Sequence, residues 1–148
     1  MLFILFLVLI VASVSDIKTR KIPNSCSAVI LVLGIIQIIS DKDNIVNYLL
    51  GFFAVSTVLF VIWLISKGKA IGGGDVKLLA ASGLLLGLLK IILAFAIGCV
   101  LGAVIHLLRM KFQGADRRFA FGPYLSMGIA VAALYGEEII KYLKYLGV

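Results

Sequence analysis

The sequence predicts an all-α integral membrane protein with about six transmembrane helices, both termini outside the cytoplasm and a glycine-rich loop before the fourth helix. Three observations predict it. Of the 148 residues, 63% are hydrophobic and the mean hydropathy is +1.20, whereas soluble domains run nearer half apolar. The apolar residues arrive in long runs. The bases fall in the breaks between runs, mostly in alternate breaks, as the positive-inside rule places them. The length allows one domain, residues 1–148.

Met1 to Ser15 is the first run. Its bases, Lys18, Arg20 and Lys21, follow it instead of preceding it, which argues for a retained span over a cleaved signal peptide. Pro23 ends that helix, and Asn24 and Ser25 are placed to cap the next. Ser25 to Ile39 is the second span and Ser40 to Asn44 a short polar loop. Ile45 to Ser66 is the third span, with Trp63 near its inner end as an interfacial or packing residue. Lys67 to Lys77 is the glycine-rich loop. Leu78 to Leu89 is a short fourth run whose outer end Lys90 marks. Ile91 to Leu108 is the fifth span, Arg109 to Arg118 a basic loop holding Asp116, and Phe119 to Tyr135 the sixth span. From Glu137 to Val148 an amphipathic tail carries Ile139, Ile140, Leu143 and Leu146 on one face, and either extends the sixth helix or lies on the surface.

With six spans, Lys18, Arg20, Lys21, Lys67, Lys69, Lys77, Arg109, Lys111, Arg117 and Arg118 share one side. Only Lys42, Lys90, Lys141 and Lys144 occupy the other. The first side is therefore expected to be cytoplasmic. The same placement explains the net charge of +7 without nucleic acid as a partner. Cys26 and Cys99 each lie inside an apolar run and form no CxxC pair, so they read as small hydrophobes.

Two acids stand out against this background. Asp75 follows Gly72, Gly73 and Gly74, and Asp16 closes the first run. A carboxylate in an apolar setting is costly unless paired, hydrogen-bonded or protonated. The topology, assigned from bases alone, puts both on the cytoplasmic side. Counting a helical rise of about 1.5 Å per residue from Lys90 back to Asp75, and from Met1 to Asp16, gives roughly 22 Å in each case, short of a core about 30 Å thick. Both acids are then expected somewhat below the inner surface. Two carboxylates sharing a site cannot both ionise easily, so one keeps a proton and the other acts as a base. Such a pair titrates as a unit and can activate water for amide hydrolysis. The glycines allow a substrate backbone to approach, or serve only as a turn between spans. Asp16 alone also reads as a solvated helix-end acid beside Lys18 and Arg20. No Ser-His or Cys-His pair is apparent. The single histidine, His106, reads as a packing or interfacial residue. No cluster has metal-ligand spacing, and no metal or cofactor is expected.

Three segments carry a family resemblance: Asp16 with the following Ile22-Pro23-Asn24, then Gly72-Gly73-Gly74-Asp75-Val76-Lys77, then Phe121-Gly122-Pro123-Tyr124-Leu125. Together, over about residues 1–135, they resemble the type IV prepilin peptidases, GxGD-type aspartyl proteases with six transmembrane helices. The resemblance implies an endopeptidase of the cell membrane that removes the short basic leader of prepilins or pseudopilins at the cytoplasmic face. Asp16 and Asp75 match its catalytic aspartates, and Gly72 and Gly74 its motif glycines. Phe121, Gly122 and Pro123 match a late motif that shapes the site. Gly73, Pro23, Asn24 and Lys77 are expected beside them, with Lys77 placed to influence Asp75 by its charge. The chain is similar to short, peptidase-only members that lack the CxxC-bearing part linked to N-methylation, so methylation is not expected. Archaeal preflagellin peptidases are a related possibility. The expected partners are prepilin-like precursors and membrane lipid. Three other readings stay open on the residues alone: a presenilin-like intramembrane protease, a small proton or cation transporter using the two aspartates, and a non-catalytic assembly subunit.

Overall fold

A leucine-rich run with no polar face has to be enclosed on all sides, and the run around residue 80 forms the centre of the fold. The structure, a computed structural model, describes residues 1–68, 71–113 and 120–147. Within them the chain forms six α-helices: α1 (Leu2–Thr19), α2 (Asn24–Ser40), α3 (Ile45–Ile65), α4 (Gly73–Leu86), α5 (Leu88–Gln113) and α6 (Gly122–Tyr145). A 3₁₀ turn, Lys42–Asn44, precedes α3. Helix α4 packs against α2, α3, α5 and α6. Its Leu78, Leu79, Ala81 and Ser82 are essentially solvent-free. The core continues through Leu5 of α1, Ile30 of α2, Ile91 of α5 and Leu125 and Ile129 of α6.

The outside of the bundle is apolar too. Phe3, Ile10 and Ile17 on α1, Phe53 and Val58 on α3, and Val100 and Leu107 on α5 are all exposed. An exterior of this kind is matched by hydrocarbon, not water. Among the described residues three segments are long and apolar enough to cross a membrane: Leu2–Thr19, Lys42–Ile65 and Leu88–Lys111. With no hydrophobic effect between spans, helices associate through close packing of small residues. Gly51 of α3 and Gly83 of α4 are an instance: a Cβ on either would run into the other's backbone.

The contacts fix directions. Helices α2 and α4 run parallel, with Asn24 beside Lys77 and Gly34 beside Leu84. Helices α5 and α6 run antiparallel, with Lys90 beside Glu137 and Gly98 beside Leu125. One end of the bundle therefore collects the C-termini of α1 and α3 and the N-termini of α2, α4 and α6. The other end holds the α2–α3 and α4–α5 turns, where the Leu88 N–H donates to Asn47 Oδ1 at 3.2 Å.

Four sequence expectations need correction. The glycine-rich stretch is not loop throughout, because α4 begins at Gly73 with Gly72 as its N-cap. Asp75 and Lys77 are consequently helical. Lys90 is not the end of the fourth helix. The chain breaks at Gly87, in a left-handed conformation (φ 84°), and Lys90 belongs to the first turn of α5. From Asp75 to Leu86 the helix rises only about 17 Å, so the depth estimate taken from Lys90 does not hold. The basic segment from Arg109 is not loop from its start, because α5 runs on to Gln113; of the two readings left open for the amphipathic tail, extension of the sixth helix holds, since α6 runs unbroken from Gly122 to Tyr145. Pro23, not Asn24 or Ser25, is the N-cap of α2, and no side chain caps it. Lys69, Asp116, Arg117 and Arg118 lie outside the described residues.

Candidate active site

Helix α1 is apolar until its last turn, where Asp16 points inward and is only 6% exposed. Arg20 ends the helix in the left-handed region (φ 55°), its N–H donating to the Asp16 carbonyl at 2.8 Å. The reversal sends Ile22 back into the core. The Ser15 hydroxyl donates to the Lys21 carbonyl at 3.1 Å and holds the turn, while the Thr19 hydroxyl donates to the Ser15 carbonyl at 2.8 Å. On α4, Asp75 sits in the first turn and is 8% exposed. Its N–H donates to the Gly72 carbonyl at 3.1 Å. These are the only carboxylates among the buried polar residues described.

Each aspartate sits at a helix N-terminus, where unpaired N–H groups and the helix dipole favour negative charge. Asp16 serves a helix that is not its own. Its Oδ2 accepts the Gly122 N–H of α6 at 2.8 Å in a buried contact, while Phe121, the N-cap of α6, supplies no side-chain cap. A Cβ on Gly122 would lie 2.6 Å from Asp16 Oδ2 and 2.9 Å from its Cγ, so the contact requires glycine. Asp75 belongs to the helix it serves. A Cβ on Gly72 would meet its Oδ2 at 3.1 Å. Its Oδ1 is buried and has no hydrogen-bond partner among the described residues. A buried carboxyl oxygen without a partner is costly when ionised.

Both aspartates line one cavity of about 1020 Å³. Pro23, Asn24, Gly72, Gly73, Gly74, Lys77 and Phe121 line it as well. Gly122 acts through Asp16, and Pro123 occupies the first turn of α6 without reaching the cavity wall. Gly74 brings α4 against the α1–α2 turn: a Cβ there would lie 2.9 Å from Ile22 Cβ. Lys77 Nζ donates to Asn24 Oδ1 at 3.0 Å and so ties α4 to α2.

Some lining residues were not anticipated from sequence. Leu59 and Trp63 of α3, and Phe95 and Cys99 of α5, form an apolar wall. Each pair is spaced i, i+4, one face of a helix, but lipid-facing residues of α3 and α5 share that spacing, so it does not single them out. Arg20 and Lys21 place positive charge on the rim. Among the described residues no group of three or more His, Cys, Asp or Glu gathers as a metal site.

Comparison with known proteins places this arrangement. Residues 3–107 match the family described as the type IV leader peptidase family. The chain is 32% identical over 147 residues to a prepilin leader peptidase/N-methyltransferase of Stutzerimonas stutzeri, covering 93% of this chain and 50% of that protein. It is 34% identical over 137 residues to the protein of the same description from Bacillus subtilis, with 90% and 55% covered. With the one from Escherichia coli it shares 29% over 135 residues, with 86% and 59% covered. The chain thus spans about half the length of the curated relatives it matches. No solved structure matches it.

Proposed function

The chain belongs to the type IV leader peptidase family, and on that premise we propose that it is an aspartyl endopeptidase. It removes the short basic leader of prepilin or pseudopilin-like precursors at the cytoplasmic face of the cell membrane. The observation that carries the reading is that Asp16 and Asp75, from two different helices, are both buried and line one cavity.

Residues 1–148 act as one transmembrane peptidase domain. All six helices cross the membrane, with both termini outside. Lys18, Arg20, Lys21, Lys67, Lys77, Arg109 and Lys111 mark the aspartate end of the bundle as the cytoplasmic one. The short α4 is compatible with a span because other helices, not lipid, surround it.

One carboxyl of the pair holds a proton and the other is ionised. The ionised group takes a proton from water as the water oxygen attacks the scissile carbonyl carbon. The protonated partner supports the developing oxyanion, and a proton then passes to the leaving nitrogen as the C–N bond breaks. The products are a leader with a new carboxylate and a mature chain with a free amine. The apolar wall of Leu59, Trp63, Phe95 and Cys99 accommodates the start of the substrate's hydrophobic helix, and the Asn24 amide faces the backbone beside it.

The test is cleavage of prepilin-like substrates in membranes carrying the chain, with N-terminal sequencing of the product. A cut just ahead of the hydrophobic segment is expected. A cut within that segment would move the protein to the presenilin-like class. No cut in several pilin-like substrates, with ion flux in liposomes, would overturn the reading in favour of a transporter.

A further inference from the structure

The end of the bundle opposite the aspartates holds a second, smaller cavity of about 340 Å³, formed where the start of α5 meets the last turns of α6. Its charge is unbalanced. Three lysines, Lys90, Lys141 and Lys144, face one glutamate, Glu137. Lys90 is already committed: its Nζ lies 2.7 Å from Glu137 Oε1, and its aliphatic stem lies where a Cβ on Gly136 would touch it. Glu138, three residues before Lys141 on α6, does not line the cavity and makes no ion pair among the described residues, and Asp41 in the α2–α3 turn is occupied by Asn44 and Tyr48. Lys141 and Lys144, one helical turn apart on α6, are left facing the cavity with no acidic partner within salt-bridge distance among the described residues.

The rest of the lining is apolar or neutral. Leu89 and Ile140 form a greasy side, and Asn47 offers an amide. Beside it on α6, Tyr142 and Tyr145 are 67% and 87% exposed and Leu143 and Leu146 are exposed as well. Exposed tyrosines next to lysines at the end of an apolar bundle are the composition of a membrane–water interface. A soluble anion needs only the charges. A lipid needs charges and an adjoining apolar flank, and both are present.

We infer that this cavity is a binding site for one anionic phospholipid, with its phosphate held by Lys141 and Lys144, its glycerol region beside Asn47, and its acyl chains running down past Leu89 and Ile140. In the orientation proposed above the lipid belongs to the outer leaflet. The inference does not depend on the peptidase chemistry, because none of these residues touches the aspartate cavity.

The test is native mass spectrometry of the full chain in neutral detergent with phosphatidylglycerol, phosphatidylcholine or inorganic phosphate added. The basic residues at the aspartate end also attract anionic lipid, so the diagnostic is the difference between wild type and K141Q/K144Q. Wild type is expected to retain about one more phosphatidylglycerol than the variant, with its apparent affinity lowered roughly 10- to 30-fold by the two substitutions. Phosphatidylcholine should show no such difference, and K141R/K144R should restore the bound lipid. Equal retention by wild type and K141Q/K144Q, at matched helicity, would overturn the site. Inorganic phosphate binding as tightly as the lipid, and lost in K141Q/K144Q, would overturn the lipid as its ligand.

Discussion

The Gly122 N–H donates to Asp16 Oδ2 at 2.8 Å, and through this one buried bond a side chain of α1 caps the N-terminus of α6. Two segments 106 residues apart in the chain therefore meet at the acid that the proposed chemistry depends on. The bond explains why a glycine opens α6: any side chain there would occupy the place of the carboxylate.

Gly122→Ala follows from that contact. The new methyl displaces the Asp16 carboxyl, and a misplacement of about 1 Å at a reacting group costs on the order of 10²-fold in rate. The lost hydrogen bond to a buried charged group costs roughly 1–3 kcal/mol. Cleavage rates and thermal melting of the purified variant check both. Near-normal cleavage would show that Asp16 does not need its present position.

The three glycines before Asp75 should respond differently to alanine. At Gly74 the added Cβ lies 2.9 Å from Ile22 Cβ, at Gly72 it lies 3.1 Å from Asp75 Oδ2, and at Gly73 its nearest neighbour is Trp63 Nε1 at 3.5 Å, an ordinary contact. Gly74→Ala is expected to lose the most stability, about 1–3 kcal/mol from overpacking. Gly72→Ala should lose activity with less effect on stability, and Gly73→Ala should be close to wild type in both. Melting and cleavage measured side by side rank them, and a damaging Gly73→Ala would contradict the assignment.

Lys77→Met removes the link to Asn24. The pair is exposed, so its stability contribution is expected below about 1 kcal/mol. A double-mutant cycle with Asn24→Ala measures it. Coupling well above that value would show a pair held more tightly than its exposure allows.

At the far end of the bundle, Asn44 Nδ2 donates to both Asp41 carboxylate oxygens, at 3.1 and 3.0 Å, and the Tyr48 hydroxyl donates at 2.8 Å. These bonds, Asn44's first, hold the Asp41 carboxyl below the usual carboxylate range. A carboxyl depressed in the folded state adds stability above its unfolded value of about 3.9, and that stability disappears as pH falls through the folded value. Asp41→Asn should therefore lower the melting temperature at pH 6 and flatten its decline towards pH 3. Parallel melting curves for the two proteins would refute the coupling.

Much of the fold was legible because hydrocarbon leaves few choices: the apolar runs of α1, α3 and α5 read directly as helices. The start of α4 was misjudged because Gly73 and Gly74 have low helix propensity, whereas here the contact with Ile22 overrides propensity by demanding a residue without a side chain. The break at Gly87 was hidden inside a continuous leucine-rich run, although a glycine after such a run is a known helix end. After Glu137 the sequence leaves open whether the sixth helix continues; the charged and apolar residues there are good helix formers, and α6 does continue to Tyr145. At the site, Asp16 and Asp75 were legible as acids in an apolar chain. The bond from Gly122 was not, because a backbone N–H leaves no mark in a sequence. Trp63 and Phe95 were hidden for a related reason: an aromatic facing a cavity and one facing lipid look alike until the helices are packed.

The central claim is that Asp16 and Asp75 work as one unit, and the most direct measurement compares Asp16→Asn, Asp75→Asn and the double variant for cleavage of a prepilin-like substrate. Asparagine keeps the size and removes the acid. Residues that act as a unit are strongly non-additive, so each single variant is predicted to be as inactive as the double, with all three still folded. A single variant that cleaves at near the wild-type rate would contradict the account, and so would single losses that multiply in the double.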